Sequence, residues 1–208
     1  MSEVAARLGV SIQRVHAMLH AGELDGRQVS GVWLLDEAQL LKPRKLGRPM
    51  SAWVAWAAVL GASDASWLSQ PERSRLSRRL CRLHEDPNAP QLLSTWLAAR
   101  AEPVNLSAPE PDALHDDPDL VPSGISDPRS GMSGGHGSEF YAQPGTLQHV
   151  IRKHLLVEDP AGQVRLREAP LSLEAPVPLL LLAADLADRG RSREMRRAAE
   201  LIQEWWQR

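Results

Sequence analysis

Hydrophobic positions in the first forty residues recur at helical spacing in two short blocks. Val4, Ala5 and Leu8 form the first, with Ser2 placed as its N-cap and Gly9 as its C-cap. Ile12, Val15, Met18 and Leu19 form the second, begun by Ser11 and closed by Gly22. These four are expected to pack on the first helix, leaving Gln13, Arg14, His16, Ala17 and His20 on other faces. Leu24 to Leu35 then reads as a β-hairpin turning at Ser30-Gly31, and Asp36 caps a third helix containing Leu40 and Leu41. Further helices are expected at 52–60, 63–68, 71–83 and 91–99, with Trp53, Trp56, Trp67 and Trp96 forming the core of a small bundle. Leu76, Leu80 and Leu83 make an apolar stripe, with Cys81 assigned to its neighbourhood as a core residue. Near the end, Thr146 caps a helix to His154. Leu155–Val157 and Gln163–Arg167 read as two strands about a Pro160-Ala161-Gly162 turn, and helices follow from Pro176 to Arg189 and from Ser192 onward.

Composition narrows the class. The chain has 208 residues, 43% of them hydrophobic and 24% charged, which is the profile of an ordinary soluble globular protein of one or two domains. Aromatics amount to 4%, so the core must rest on Leu, Val and Ala, which favours helix over sheet. The single cysteine makes neither an internal disulfide nor a thiolate zinc cage. No secretory leader pattern is seen at the N-terminus and no apolar run is long enough to span a bilayer, so a cytoplasmic protein without membrane contact is expected.

The net charge of −2 conceals an uneven distribution. Residues 1–101 carry 13 basic and 9 acidic side chains, residues 102–128 carry seven acids and no Lys or Arg, and residues 129–208 carry 11 basic and 10 acidic groups. The acidic stretch also holds Pro103, Pro109, Pro111, Pro118, Pro122 and Pro128, and is read as a linker or an irregular wrap. Residues 123–139 are rich in Gly and Ser and are read as a mobile or partner-ordered loop. The expected organisation is therefore an N-terminal unit at 1–46, a helical bundle segment at 47–101, an acidic Pro/Gly/Ser-rich linker or wrap at 102–138 and an α+β C-terminal partner or oligomerisation domain at 139–208. The fold class is mainly α with small β-hairpins.

Helix, Gly-Val-Ser turn, helix, hairpin, helix is the order of parts in a winged helix-turn-helix. The residues Glu3-Val4-Ala5, Leu8-Gly9-Val10-Ser11, Val15, Leu19, Gly22-Glu23-Leu24 and Gly31-Val32-Trp33-Leu34-Leu35-Asp36 resemble the excisionase-like branch of the MerR helix-turn-helix family. The resemblance covers about a fifth of the chain. It implies binding of double-stranded DNA with the second helix in the major groove and the hairpin as a wing. Ser11 would begin that helix, with Gln13, Arg14 and Ala17 facing bases and Gln13 and Arg14 able to make bidentate contacts. His16 and His20 would lie near phosphate, and Arg27 would hold the backbone from the wing. Leu34 stands where members of that family often carry Arg in the second wing strand. After the third helix, Lys42-Pro43-Arg44-Lys45-Leu46-Gly47-Arg48 places Arg44, Lys45 and Arg48 on a proline-bounded basic segment, which is either a phosphate-tracking arm or a plain basic linker. Arg75, Arg78, Arg79 and Arg82 surround the Leu76–Leu80–Leu83 stripe and either extend contact with DNA or meet an acidic partner.

The C-terminal half is similar in pattern to actinobacterial abortive-infection antitoxins. The segments concerned are Asp119 to Ser126, Tyr141, Val164-Arg165-Leu166-Arg167 and Pro178 to Leu186. That similarity implies a regulator with a cognate protein partner, a toxin. Searching for chemistry yields no nucleophile elbow, no zinc-protease helix, no dinucleotide fingerprint and no phosphate loop, so no catalytic residue, metal site or cofactor is expected. Asp185 and Asp188 are spaced as a carboxylate pair or as solvated helix-surface acids, and Trp205-Trp206 leaves one indole exposed or at an interface. The expectation is a DNA-binding transcriptional regulator, a repressor, with a C-terminal domain for a partner or for homodimer formation. An antitoxin or adaptor that masks another protein is the alternative.

Overall fold

A computed structural model describes residues 4–5, 11–20, 26–29, 32–35, 48–61, 65–132 and 137–208, with backbone alone for Met18, His20, residues 26–29, Val32 and Leu34. The chain divides into two units, Met1–Leu46 and Gly47–Arg208. In the first, helix α1 (Ile12–His20) follows Ser11, whose Oγ accepts the Arg14 backbone N–H at 3.2 Å and so satisfies a first-turn donor. Val15 is fully buried with Val4 and Ala5, and Leu19 and Leu35 pack partly against them. Ile12 is 43% exposed, contrary to the expected four-residue face. It sits in the first turn of α1, and the core of Val4, Ala5 and Val15 is reached one turn later. Strands β1 (Gly26–Val29) and β2 (Val32–Leu35) pair antiparallel, with Gly26 opposite Leu35 and Val29 opposite Val32. The expected caps Ser2, Gly9 and Gly22, the Ser30-Gly31 turn, the third helix from Asp36 and residues 42–47 lie outside the described residues.

The second unit begins with three helices, α2 (Ala52–Leu60), α3 (Gln70–Glu85) and α4 (Ala89–Leu97). α3 opens with a capping box between Ser69 and Glu72, and Leu76, Leu80 and Leu83 form its buried stripe. Residues 65–69 form a turn where a helix was expected. The expected four-tryptophan core is halved: Trp56 and Trp96 are buried, whereas Trp53 and Trp67 are 57% and 44% exposed and meet edge to face at 6.2 Å. Cys81 is exposed, because it lies one residue past Leu80 and off the stripe. Trp206 stacks on His84 at 4.5 Å, so the outward indole of the Trp205-Trp206 pair has a partner in its own chain.

The expected linker is the largest correction. Residues 104–132 are built into the fold as β3 (Val104–Ser107), β4 (Leu120–Pro122) and 3-10 turns at Pro111–Asp116, Gly124–Ser126 and Pro128–Ser130. Leu106, Leu114, Leu120 and Val121 are buried. The prolines sit where their missing N–H costs nothing: Pro103 precedes a strand, and Pro111 and Pro128 open 3-10 turns. The acids act locally. Asp117 and Asp127 accept the backbone N–H two residues on, at 2.9 and 2.8 Å, and their remaining oxygens meet Lys153 and His154, and Arg129.

Strands β5 (Ser138–Ala142), β6 (Val157–Glu158) and β7 (Val164–Glu168) complete a mixed sheet of order β4-β5-β7-β3-β6, in which only the β5–β7 pair is parallel. Of the two strands expected about Pro160–Gly162, Gln163–Arg167 is met by β7, whereas Leu155–Val157 shares only Val157 with the two-residue β6, and β3 lies between β6 and β7. Gly162 is required at this point, since a Cβ there would overlap the Leu106 carbonyl. One face of the sheet carries Leu106, Phe140, Ala142, Val164 and Leu166 against helix α5 (Leu147–Lys153). On the other side, helices α6 (Leu179–Asp188) and α7 (Ser192–Trp206) pack on each other and on α4. Residues Leu179 to Ala187 are all buried, as expected for a helix apolar around most of its circumference. The described chain is thus mixed α and β, and none of its described helices is long and apolar enough to cross a membrane.

Candidate functional site

On α1 the burial pattern separates two faces. Val15 points into the small core, while Ser11, Gln13, Arg14 and Ala17 are exposed and His16 is half-buried. A helix that buries Val15 and exposes the consecutive residues Gln13 and Arg14 offers planar donor groups to whatever lies beside it. The antiparallel pair β1–β2 supplies a short ribbon in the same unit. The structure therefore gathers Ser11, Gln13, Arg14, His16 and Ala17 on one helix. The side chains of His20 and Arg27 lie outside the described residues, as do Arg44 and Lys45, whereas Arg48 is exposed at the start of the second unit.

A second constellation escaped the sequence reading. Alternation along β5 and β7 directs Phe140, Ala142, Val164 and Leu166 to one face, so Glu139, Tyr141, Arg165 and Arg167 take the other. Parallel register sets Glu139 beside Arg165 and Tyr141 beside Arg167. Helix α6 presents Asp185 and Asp188 to this face, three residues apart. Arg100, at the end of α4, reaches both carboxylates at 2.5 Å through Nη2. Arg167 reaches Asp185 at 3.3 Å and Asp188 at 2.9 Å. The Tyr141 hydroxyl donates to Asp185 Oδ1 at 3.1 Å and accepts from Arg100 Nε at 3.0 Å, and Ser123 Oγ donates to Asp185 Oδ2. The Trp56 indole N–H donates to the Arg100 carbonyl at 2.7 Å. Asp185 is thus fully buried, which corrects the expectation of a solvated surface acid.

The electrostatics follow from this geometry. Burial alone would raise the Asp185 carboxyl, but Arg100, Arg167 and the Ser123 hydroxyl together hold it below the usual aspartate range. Burial pushes the Tyr141 phenol up, so it stays protonated. Glu139 is also pushed up, first by burial and then by the nearby Asp185 charge, against the opposing pull of Arg189 at 2.6 Å. One of its oxygens, Oε2, has no hydrogen-bond partner. Chemically the cluster is a clamp. Its two aspartates share two guanidiniums, Asp185 is held below the usual aspartate range and the phenol is not ionised, so neither Asp185 nor Tyr141 is prepared to take a proton from a substrate. Among the described residues, no group of three His, Cys, Asp or Glu side chains is placed to hold a metal ion.

Comparison with known proteins finds no family model, no curated protein and no solved structure that matches this chain.

Proposed function

We propose that the chain is a sequence-specific DNA-binding transcriptional regulator acting as a repressor, whose unit Met1–Leu46 is a winged helix-turn-helix. The observation that carries this is the split of α1 into a buried Val15 side and an exposed face holding Gln13, Arg14 and Ala17, in one unit with the β1–β2 ribbon. Gln and Arg are the side chains that read adenine and guanine edges bidentately in the major groove, and Ala17 is small enough to let the helix approach. A nine-residue helix offers few base contacts, so specific binding requires a second half-site filled by a second copy of the chain.

The test is a gel shift of the full chain on the DNA immediately upstream of its own gene, against a scrambled fragment of equal length. Preferential binding of the upstream fragment is expected. Replacing Arg14 with Ala is expected to cost about 1–3 kcal/mol on the upstream fragment and to relax preference at one base pair, leaving the scrambled fragment little changed. An equal loss on both fragments would reduce Arg14 to a phosphate contact. No preference in the unsubstituted protein would remove the reading itself.

A further inference from the structure

We infer that the arginine-lined groove along α3 is a second nucleic-acid surface, which grips the phosphate backbone of double-stranded DNA without reading its sequence. This rests on the DNA-binding reading above and adds to it a site in the other unit.

Arg75, Arg78, Arg79 and Arg82 fall at spacings of three, one and three residues, which places them along one side of α3. All four are exposed and flank the stripe of Leu76, Leu80 and Leu83 that anchors the helix in the core, and Leu76 also lines the groove. Together with Pro49, Met50, Ser51 and Val54 they line a groove of about 530 Å³. Two of the guanidiniums are held in place: those of Arg79 and Arg82 lie 5.7 and 6.0 Å from the Trp96 ring centre. Arg78 Nε donates to the Ser74 carbonyl on its own helix at 3.3 Å.

The groove is also short of internal counter-charge. Glu72 is the one acid among the groove-lining residues, and its Oε2 is occupied by the Ser69 backbone N–H at 2.9 Å and hydroxyl at 2.7 Å. The Ser69 hydrogen bonds, and after them the Arg75 charge, hold the Glu72 carboxyl below the usual glutamate range, so this one acid faces four guanidiniums. Elsewhere in the same unit arginines are matched closely, as with Arg100, Arg167 and Arg189. Four guanidiniums in about ten ångströms of helix, given a rise of roughly 1.5 Å per residue, form a strip suited to a polyanion.

Phosphate backbone is favoured over an acidic protein segment by continuity of the chain. The groove wall starts at Pro49-Met50-Ser51, immediately after the basic run Lys42, Arg44, Lys45 and Arg48 that leaves the unit bearing α1. The basic run therefore ends at exposed Arg48, next in sequence to the groove wall, and the groove's own charge comes from Arg75, Arg78, Arg79 and Arg82 on α3.

The experiment measures affinity against salt for the full chain and for an Arg75→Gln, Arg78→Gln double variant, on the upstream and scrambled fragments. Neither side chain packs on the core, so an unchanged thermal melt is expected, and an Arg75→Lys, Arg78→Lys variant serves as the charge-retaining control. Expected is a fall of about 0.9 per arginine in the slope of log K against log salt, with the same fold-loss on both fragments and restoration by lysine. Independently, an iron–EDTA chelate on the single, exposed Cys81 is expected to cleave bound DNA, because Cys81 lies on α3 one turn after Arg78. Unchanged slope and affinity with no tethered cleavage would overturn the inference. Arginine-dependent capture of a polyglutamate peptide with no arginine dependence on DNA would overturn it in favour of an acidic protein partner. If the unsubstituted chain does not prefer its upstream fragment, base reading by α1 fails, while a slope that still falls with the arginines upholds the groove.

Discussion

Replacing Asp185 with Ala is expected to destabilise the unit Gly47–Arg208 by about 3–5 kcal/mol, because it leaves two buried guanidiniums, Arg100 and Arg167, sharing the one carboxylate of Asp188. A domain typically has about 5–15 kcal/mol in hand, so the variant should sit near the edge of folding. Urea unfolding followed by tryptophan fluorescence would measure it, and a loss under about 1 kcal/mol would mean that solvent or rearranged partners replace the carboxylate. The pH dependence has a defined sign. Asp185 ionises more readily folded than unfolded, so its contribution is complete above the unfolded aspartate pKa and is lost as pH falls through the lower folded value. Glu139 acts in the opposite direction. Its folded pKa is raised, so its ionised form weakens the folded state as pH rises from the unfolded glutamate pKa through the folded one. Glu139→Gln should therefore match the parent in acid and equal or exceed it in stability at neutral pH, despite losing the Arg189 ion pair. A neutral-pH loss as large as that of Asp185→Ala would show that the Arg189 pair outweighs burial of an unpartnered oxygen.

These two carboxylates also mark where sequence reasoning stops. Helices with an apolar run or stripe between clear caps were legible: Ala52–Leu60, apolar throughout, was expected at the bounds observed, and α3, α4, α5 and α7 fell within a few residues of expectation. The exposed polar side of α1 was legible for the same reason, since a solvent-facing residue needs only the helical period to be placed. Buried charge is different, because its partner is what permits the burial, and here the partners are distant in sequence. Arg100 meets Asp185 across 85 positions and Tyr141 across 41. A signal was present in Val164-Arg165-Leu166-Arg167 and Glu139-Phe140-Tyr141, where strict alternation gives a strand one apolar and one polar face. Gln163–Arg167 was read as one strand about a local turn and residues 123–139 as a loop, so the polar face that α6 covers with two aspartates was not foreseen. The 102–132 stretch was read through its prolines and acids as a linker or an irregular wrap, and the linker alternative does not hold. Proline marks the edges of elements as readily as it marks linkers, and Asp117 and Asp127 cap turns rather than hold the chain in solvent. The hairpin about Pro160–Gly162 failed because local pairing was assumed, and β3, contributed from some fifty residues earlier, took the place between its arms.

Trp56→Ala should destabilise the same unit by about 3–5 kcal/mol, while Trp53→Ala, three residues earlier on α2, should cost no more than about 1 kcal/mol. The contrast follows from where each indole lies. Trp56 has no exposed surface, meets the Tyr141 ring edge to face at 6.0 Å and donates to the Arg100 carbonyl. Its removal opens a cavity beside the ion cluster and leaves that carbonyl buried without its donor, so the loss combines missing contacts with an unsatisfied acceptor. Trp53 is more than half exposed, and its ring contact is with Trp67, itself largely in solvent. The hydrogen bond joining that pair runs from the Trp67 indole to the Trp53 backbone carbonyl at 3.3 Å, and it survives truncation of the Trp53 side chain. Denaturant midpoints of the two variants decide the matter, read by circular dichroism because both substitutions alter fluorescence. Equal losses would mean that the Trp53–Trp67 pair is a second core rather than a surface contact. A large loss confined to Trp56 would show that α2 is held to the sheet through the residue joining the aromatic core to Arg100, so the helical layer and the ion cluster unfold as one.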